Sequence, residues 1–213
     1  MPTEPLSGVY DITVMEGTDR RLRAYLFDGE TPTLVDTGLE ATTDRLFSGL
    51  DDLGVEPERV VVTHGDGDHV GGLPAVVDRF DPEVFVPEQT DLSGVDGVEE
   101  RNVTRYGDQD EVGPFEAVHV PGHEPDNHAL VDVDRGVVVA GDAVSGADQR
   151  GLPEGYLILP PAVFSDDLNE AEENLERLLA FEFDAVLVFH GSSVLEGGKE
   201  KLDRFVNFPG KPS

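Results

Sequence analysis

The chain has 213 residues, and a hydrophobic content of 38% is enough to build a core. Fifteen Lys and Arg against 45 Asp and Glu leave a formal net charge of −30, a field that repels a nucleic-acid backbone and an anionic membrane surface alike. Cysteine is absent, which excludes disulfides, thiolate zinc ligands and a Cys nucleophile, so any metal must be held by His and carboxylates.

The carboxylates run from Glu4 to Glu200 without a long block, and only Lys199, Lys201 and Lys211 are lysines. That pattern reads as a whole surface adapted to molar salt, which screens the self-repulsion; the plain alternative is an ordinary acidic protein. The start, MPTEPLSGVYDI, lacks a basic region followed by an apolar stretch, and no run approaches the ~18 apolar residues that span a bilayer. The expectation is a cytoplasmic protein with one domain over 1–208 and a short tail over 209–213.

In chain order, period-two apolar runs predict strands at Val9–Val14, Leu22–Asp28 and Thr33–Asp36. Leu46, Leu50 and Leu53 then form one helical stripe within Thr42–Leu53, with Gly54 as the stop. Further strands are predicted at Arg59–Thr63 and Val84–Val86, with a short helix after Gly72 between them. The polar stretch Gly94–Gly113 reads as an exposed hairpin or loop. Strands follow at Phe115–Val120, Ala129–Val133 and Val137–Ala140, then a long irregular connection over Gly146–Pro161. A helix over Asp167–Phe181 carries Leu168, Ala171, Leu175, Leu178 and Leu179 on one face, with Asp167 and Glu170 as a capping pair. The strand Ala185–Phe189 and a helix from Gly198 to Val206 complete an interleaved α/β pattern, sheets covered by helices.

Four of the six histidines stand in unusual company. Thr63-His-Gly-Asp-Gly-Asp-His69 follows a β-branched strand and delivers His64, Asp66, Asp68 and His69 within six positions, and Gly65 and Gly67 are expected to let the backbone fold back there. His123, Asp142 and His190 each follow the end of a predicted strand, and Asp36 closes another. Taken singly, a strand-end His is most often a surface or capping residue, and Asp beside Gly is usually a turn former. Those readings do not account for the dense loop together with three later strand-end donors. His119 lies within a strand and reads as structural. His128 reads either as a group supporting a ligand or facing substrate, or as a surface histidine.

With these residues the sequence resembles the metallo-β-lactamase fold superfamily of metal-dependent hydrolases. That family's signatures are an Asp after a strand, a His-x-His-x-Asp-His loop, then His, Asp and His; Asp36, loop 64–69, His123, Asp142 and His190 match them in order. The resemblance implies an αββα sandwich of two mixed sheets. It implies a first metal held by His64, His123 and Asp66, a second held by Asp68, His69 and His190, and Asp142 bridging both. A bridging hydroxide would be the nucleophile, Asp68 is the candidate catalytic residue, and Asp36 would orient a ligand without touching metal. Two divalent cations are implied, Zn by preference. No Gly-x-Ser-x-Gly elbow offers a competing nucleophile.

One position departs from the pattern: Asp66 stands where the family's loop has its second His. A carboxylate there is a harder donor and shifts preference towards Fe or Mn. Flavodiiron relatives place Glu at that point, but they also carry a flavodoxin-like domain for which this chain has no room. Asp66 is thus a ligand of a dinuclear site, or turns away and leaves one strong site, or marks a fold that only binds. The bridging Asp142 argues against β-lactam hydrolysis. The C-terminal segment offers only Lys199, Lys201, Arg204 and Lys211, fewer cations than the thiol-binding helices of glyoxalase-II-like thioesterases. Lactonase relatives place a Tyr soon after the bridging Asp, where this chain has Ala143-Val-Ser145. The expected activity is hydrolysis of an ester, thioester or lactone-like bond in a small-molecule substrate, with no nucleic-acid or membrane partner and a homodimer left open. The alternatives are a di-iron oxidoreductase acting on oxygen, nitric oxide or a sulfur species, and a non-catalytic metal-binding domain.

Overall fold

The computed structural model describes residues 1–17, 21–98 and 102–208. The expected tail at 209–213 lies outside them. Two compact units divide the chain, Met1–Gly107 and Asp108–Ser213.

The first unit carries a seven-stranded mixed sheet in sequential order. Its strands are β1 (Thr3–Leu6), β2 (Val9–Glu16), β3 (Arg21–Phe27), β4 (Thr33–Val35), β5 (Arg59–Val61), β6 (Glu83–Pro87) and β7 (Val103–Tyr106). Pairing is antiparallel from β1 to β4 and parallel from β4 to β7. Helices α1 (Thr43–Leu53), α2 (Gly67–Val70) and α3 (Leu73–Phe80) lie in the crossovers of the parallel pairs β4–β5 and β5–β6. The stripe on α1 buries Leu46 and Leu50 against Ile12, Val14 and Leu34. Each fully buried Leu contributes about 1.5–3 kcal/mol. Gly54 ends α1 with φ 66°, the left-handed cap that only Gly adopts cheaply.

The second unit carries a five-stranded mixed sheet ordered β14-β11-β10-β9-β8, with strands at β8 (Glu111–Val112), β9 (Phe115–His119), β10 (His128–Asp132), β11 (Val137–Val139) and β14 (Ala185–Leu187). A separate pair joins β12 (Ser145–Gly146) to β13 (Leu157–Ile158). Helices α4 (Leu168–Asn174) and α5 (Gly198–Val206) flank this unit, where Leu202 packs with Leu175, Leu178 and Val186. Asp167 caps α4, its side chain accepting from the Asn169 and Glu170 amides at 2.8 and 3.2 Å.

Three expectations need correction. Gly94–Gly113 is neither a hairpin nor a plain loop: Val103–Tyr106 joins β6 in the first sheet and Glu111–Val112 joins β9 in the second. The strand β7, Val-Thr-Arg-Tyr, shows no apolar alternation; it buries only Tyr106 fully and donates that hydroxyl to Val62 O at 2.6 Å. Gly146–Pro161 contains β13, whose two residues are too few to show a period. The helix expected over Asp167–Phe181 is α only to Asn174 and 3₁₀ over Leu175–Ala180, where residues three apart eclipse, as the buried Leu175 and Leu178 do.

Candidate functional site

In the first unit, parallel pairing aligns Val35 with Val61, so the chain leaves β4 and β5 side by side. Asp36 comes one residue past one strand; Thr63 and His64 follow the other. Asp36 has φ 56°, an uncommon conformation for a non-Gly residue that Asp tolerates better than most. Its side chain is fully buried and accepts three donors: Thr63 N at 2.8 Å, Thr63 Oγ1 at 2.7 Å and His69 Nδ1 at 2.6 Å. Thr37 adds two bonds to His69 O, from its amide and its hydroxyl, both 2.8 Å. The loops 36–38 and 64–72 are thereby laced together.

Gly71 and Gly72 carry tight packing. A Cβ on Gly71 would come within 2.5 Å of Glu40 N, and one on Gly72 within 2.5 Å of Thr37 O. Gly67 has open space around it and begins α2, a short helix that the sequence pattern did not reveal. Asp66 is the residue before that helix, so Asp68 and His69 project from its single turn.

The donors of this loop converge. His64 and His69 are buried, with ring centroids 4.0 Å apart. Asp66 Oδ2 lies 3.6 Å from His64 Nε2, and its side chain is 39% exposed, so it faces its neighbour from the open side. Donor atoms of Asp68 and His69 lie within 4.8 Å of each other. Asp36, held against His69 Nδ1, leaves Nε2 as the nitrogen that could hold a metal.

The second unit builds its own group. β11 and β14 run parallel with Val139 opposite Leu187, and Asp142 and His190 each follow three residues later. His190 Nε2 lies 3.0 Å from Asp142 Oδ2, and His123 Nε2 approaches the same oxygen at 3.6 Å. Two imidazole nitrogens aimed at one buried carboxylate suit a cation held among them. Asn127, fully buried and not singled out from the sequence, accepts from the Asp142 amide at 3.0 Å and donates to Val120 O at 3.0 Å, tying the His123 loop to the Asp142 turn. Ser165 Oγ stands 3.3 Å from His123 Nδ1.

His128 is not a surface residue: it is 3% exposed, and its ring lies 4.8 Å from that of His119, its partner across the strand pair. Its Nδ1 donates to Asp126 O at 2.8 Å. Burial pushes its pKa down to about 4, the Asp126 carbonyl opposing this only in part. His119 bonds Pro125 O through Nε2 at 2.7 Å, in keeping with a structural role.

The family model described as the metallo-beta-lactamase superfamily matches residues 22–190. The chain belongs to that superfamily. Its fold is the αββα class expected from the sequence, with two mixed sheets and flanking helices. The hydroxyacylglutathione hydrolase GloC of Haemophilus influenzae is 23% identical over 202 residues, covering 84% of this chain and 89% of that protein. Among solved structures, TTHA1623 in a di-iron-bound form is 25% identical with a TM-score of 0.67, covering 89% of this chain and 97% of that one. The rubredoxin oxygen:oxidoreductase of Desulfovibrio gigas shares the fold at 15% identity with a TM-score of 0.78; the match covers all of this chain and 63% of that one. Superfamily members bind divalent metals, commonly two, and the two donor groups here have the chemistry to do so. Among the described residues, no helix is long and apolar enough to cross a membrane.

Proposed function

We propose that the chain is a metal-dependent hydrolase of thioesters or related acyl esters of small molecules. The observation that carries this reading is the convergence of His190 and His123 on Asp142, at 3.0 and 3.6 Å. Bound there and at the 64–69 loop, a metal pair would supply Lewis acidity towards a carbonyl oxygen and lower the pKa of a water.

The chain's own residues prepare that chemistry. His64, Asp66 and His123 are proposed for one ion, and Asp68, His69 and His190 for the other. Asp142 would serve both. Asp36 holds the His69 ring so that Nε2 faces outward. Asp68 is the group proposed to take part in proton transfer beside the reacting acyl group. Three carboxylates against two divalent cations leave roughly one positive charge, where the family's usual loop would leave roughly two, so Asp66 softens the electrophile.

The thioester preference follows the printed name of the Haemophilus relative, since a hydroxyacylglutathione is a thioester. One feature favours a second reading. The harder donor Asp66 suits iron, and the Desulfovibrio and di-iron-bound neighbours share the fold.

The test combines metal analysis of protein prepared in high salt without added zinc with a panel of S-acyl, O-acyl and lactone substrates. Two Zn or Mn per chain with thioester turnover lost to chelation is the expected result. Two Fe with a visible absorption band and no turnover would overturn it in favour of redox chemistry.

A further inference from the structure

Two hydroxyl groups, one in each unit, stand against the Nδ1 atoms of proposed metal ligands. Thr63 Oγ1 is 3.1 Å from His64 Nδ1, and Ser165 Oγ is 3.3 Å from His123 Nδ1. A hydroxyl has one proton to give and two lone pairs to receive with. Thr63 directs its proton to Asp36 Oδ2 at 2.7 Å, and Ser165 directs its own to Pro161 O at 3.0 Å. Each oxygen can therefore only accept from the imidazole beside it.

We propose that Thr63 and Ser165 are positioning residues that lock His64 and His123 in the Nδ1–H tautomer and so present Nε2 as the coordinating atom. The inference rests on the metal-binding reading above and deepens it. Asp36 does the same for His69 directly, at 2.6 Å, and reaches His64 through the Thr63 hydroxyl. One carboxylate thus orients two ligands, one assigned to each ion. Ser165 supplies the equivalent for His123 from 42 residues further along the chain. An alcohol is suited to this because it is neutral: it fixes the ring without adding charge to a site already rich in carboxylates.

The test has two readouts on the full-length protein. Long-range ¹⁵N–¹H correlation spectra of the metal-free wild type report the tautomer of each histidine. The expected pattern is Nδ1–H at His64 and His123, and Nε2–H at either overturns the proposal for that residue. Zinc affinity by competition with a chelating dye is then compared across Thr63→Val, Thr63→Ser, Ser165→Ala and Ser165→Thr. Loss of the hydroxyl is expected to weaken zinc binding by about 10–100-fold, and the two hydroxyl-retaining variants to stay within about threefold of wild type. Zinc binding unchanged in Thr63→Val and Ser165→Ala overturns the positioning role. A wild type that shows Nδ1–H at both His64 and His123 yet binds no metal would sink the metallohydrolase reading and leave the tautomer assignment standing.

Discussion

His69 Nδ1 and Asp36 Oδ2 are 2.6 Å apart with both side chains buried, the shortest of the three bonds that Asp36 accepts. Asp36→Asn removes the charge while keeping a residue that tolerates φ 56°. An amide NH₂ facing Nδ1 favours the other tautomer, which puts a proton on Nε2. Metal affinity is expected to drop about 10–100-fold with the far-ultraviolet circular dichroism unchanged. Chelator competition measures the first and the spectrum checks the second.

Asp142→Ala strips the carboxylate on which His123 and His190 converge. The variant is expected to retain at most one metal per chain. Elemental analysis of the purified protein decides it, and two ions in the variant would refute a bridging role.

Asp66→His restores the family's common loop and removes one negative charge beside His64. Zinc content and zinc affinity are expected to rise, about tenfold in affinity, by exchanging a hard donor for an imidazole. Titration with zinc against the wild type gives the comparison. Identical metal content and identity in both proteins would mean that Asp66 is not a ligand.

His128 titrates at about 4 when folded, against an ordinary value of 6.5. Between those values the unfolded chain binds more protons, so stability falls as pH drops through this window and levels off below it. The loss from this group reaches at most about 3 kcal/mol. Urea denaturation at pH 7, 5.5 and 4 in constant high salt should show the decline, and His128→Gln should flatten it.

The donors were legible in the sequence because each follows a strand end, and the folded chain clusters them unit by unit: His64, Asp66, Asp68 and His69 in the first, His123, Asp142 and His190 in the second. Their supports were not. Asn127, Thr63 and Ser165 are ordinary polar residues whose hydrogen bonds reach segments distant in the chain or the ring beside them, and no period or spacing announces that. The apolar stripe of Leu46 and Leu50 forecast α1, since core burial enforces the pattern. β7 escaped because Thr104 is exposed and Arg105 donates to Pro87 O and Thr90 O, which leaves its four residues without an apolar alternation. Contact with Glu40 N and Thr37 O, which sequence does not display, restricts Gly71 and Gly72.

The parallel pairing of β11 with β14 acts as a gauge. Val139 lies opposite Leu187, and equal offsets of three residues then bring Asp142 Oδ2 to 3.0 Å from His190 Nε2. A strand advances about 3.3 Å per residue. Sliding either strand by one place would therefore carry its donor about that far out of register and turn that strand's side chains to the opposite face. The spacing between these two donors is thus counted out in whole residues along the ladder, and length changes should be tolerated in the connecting turns long before they are tolerated between Val137 and Asp142 or between Ala185 and His190.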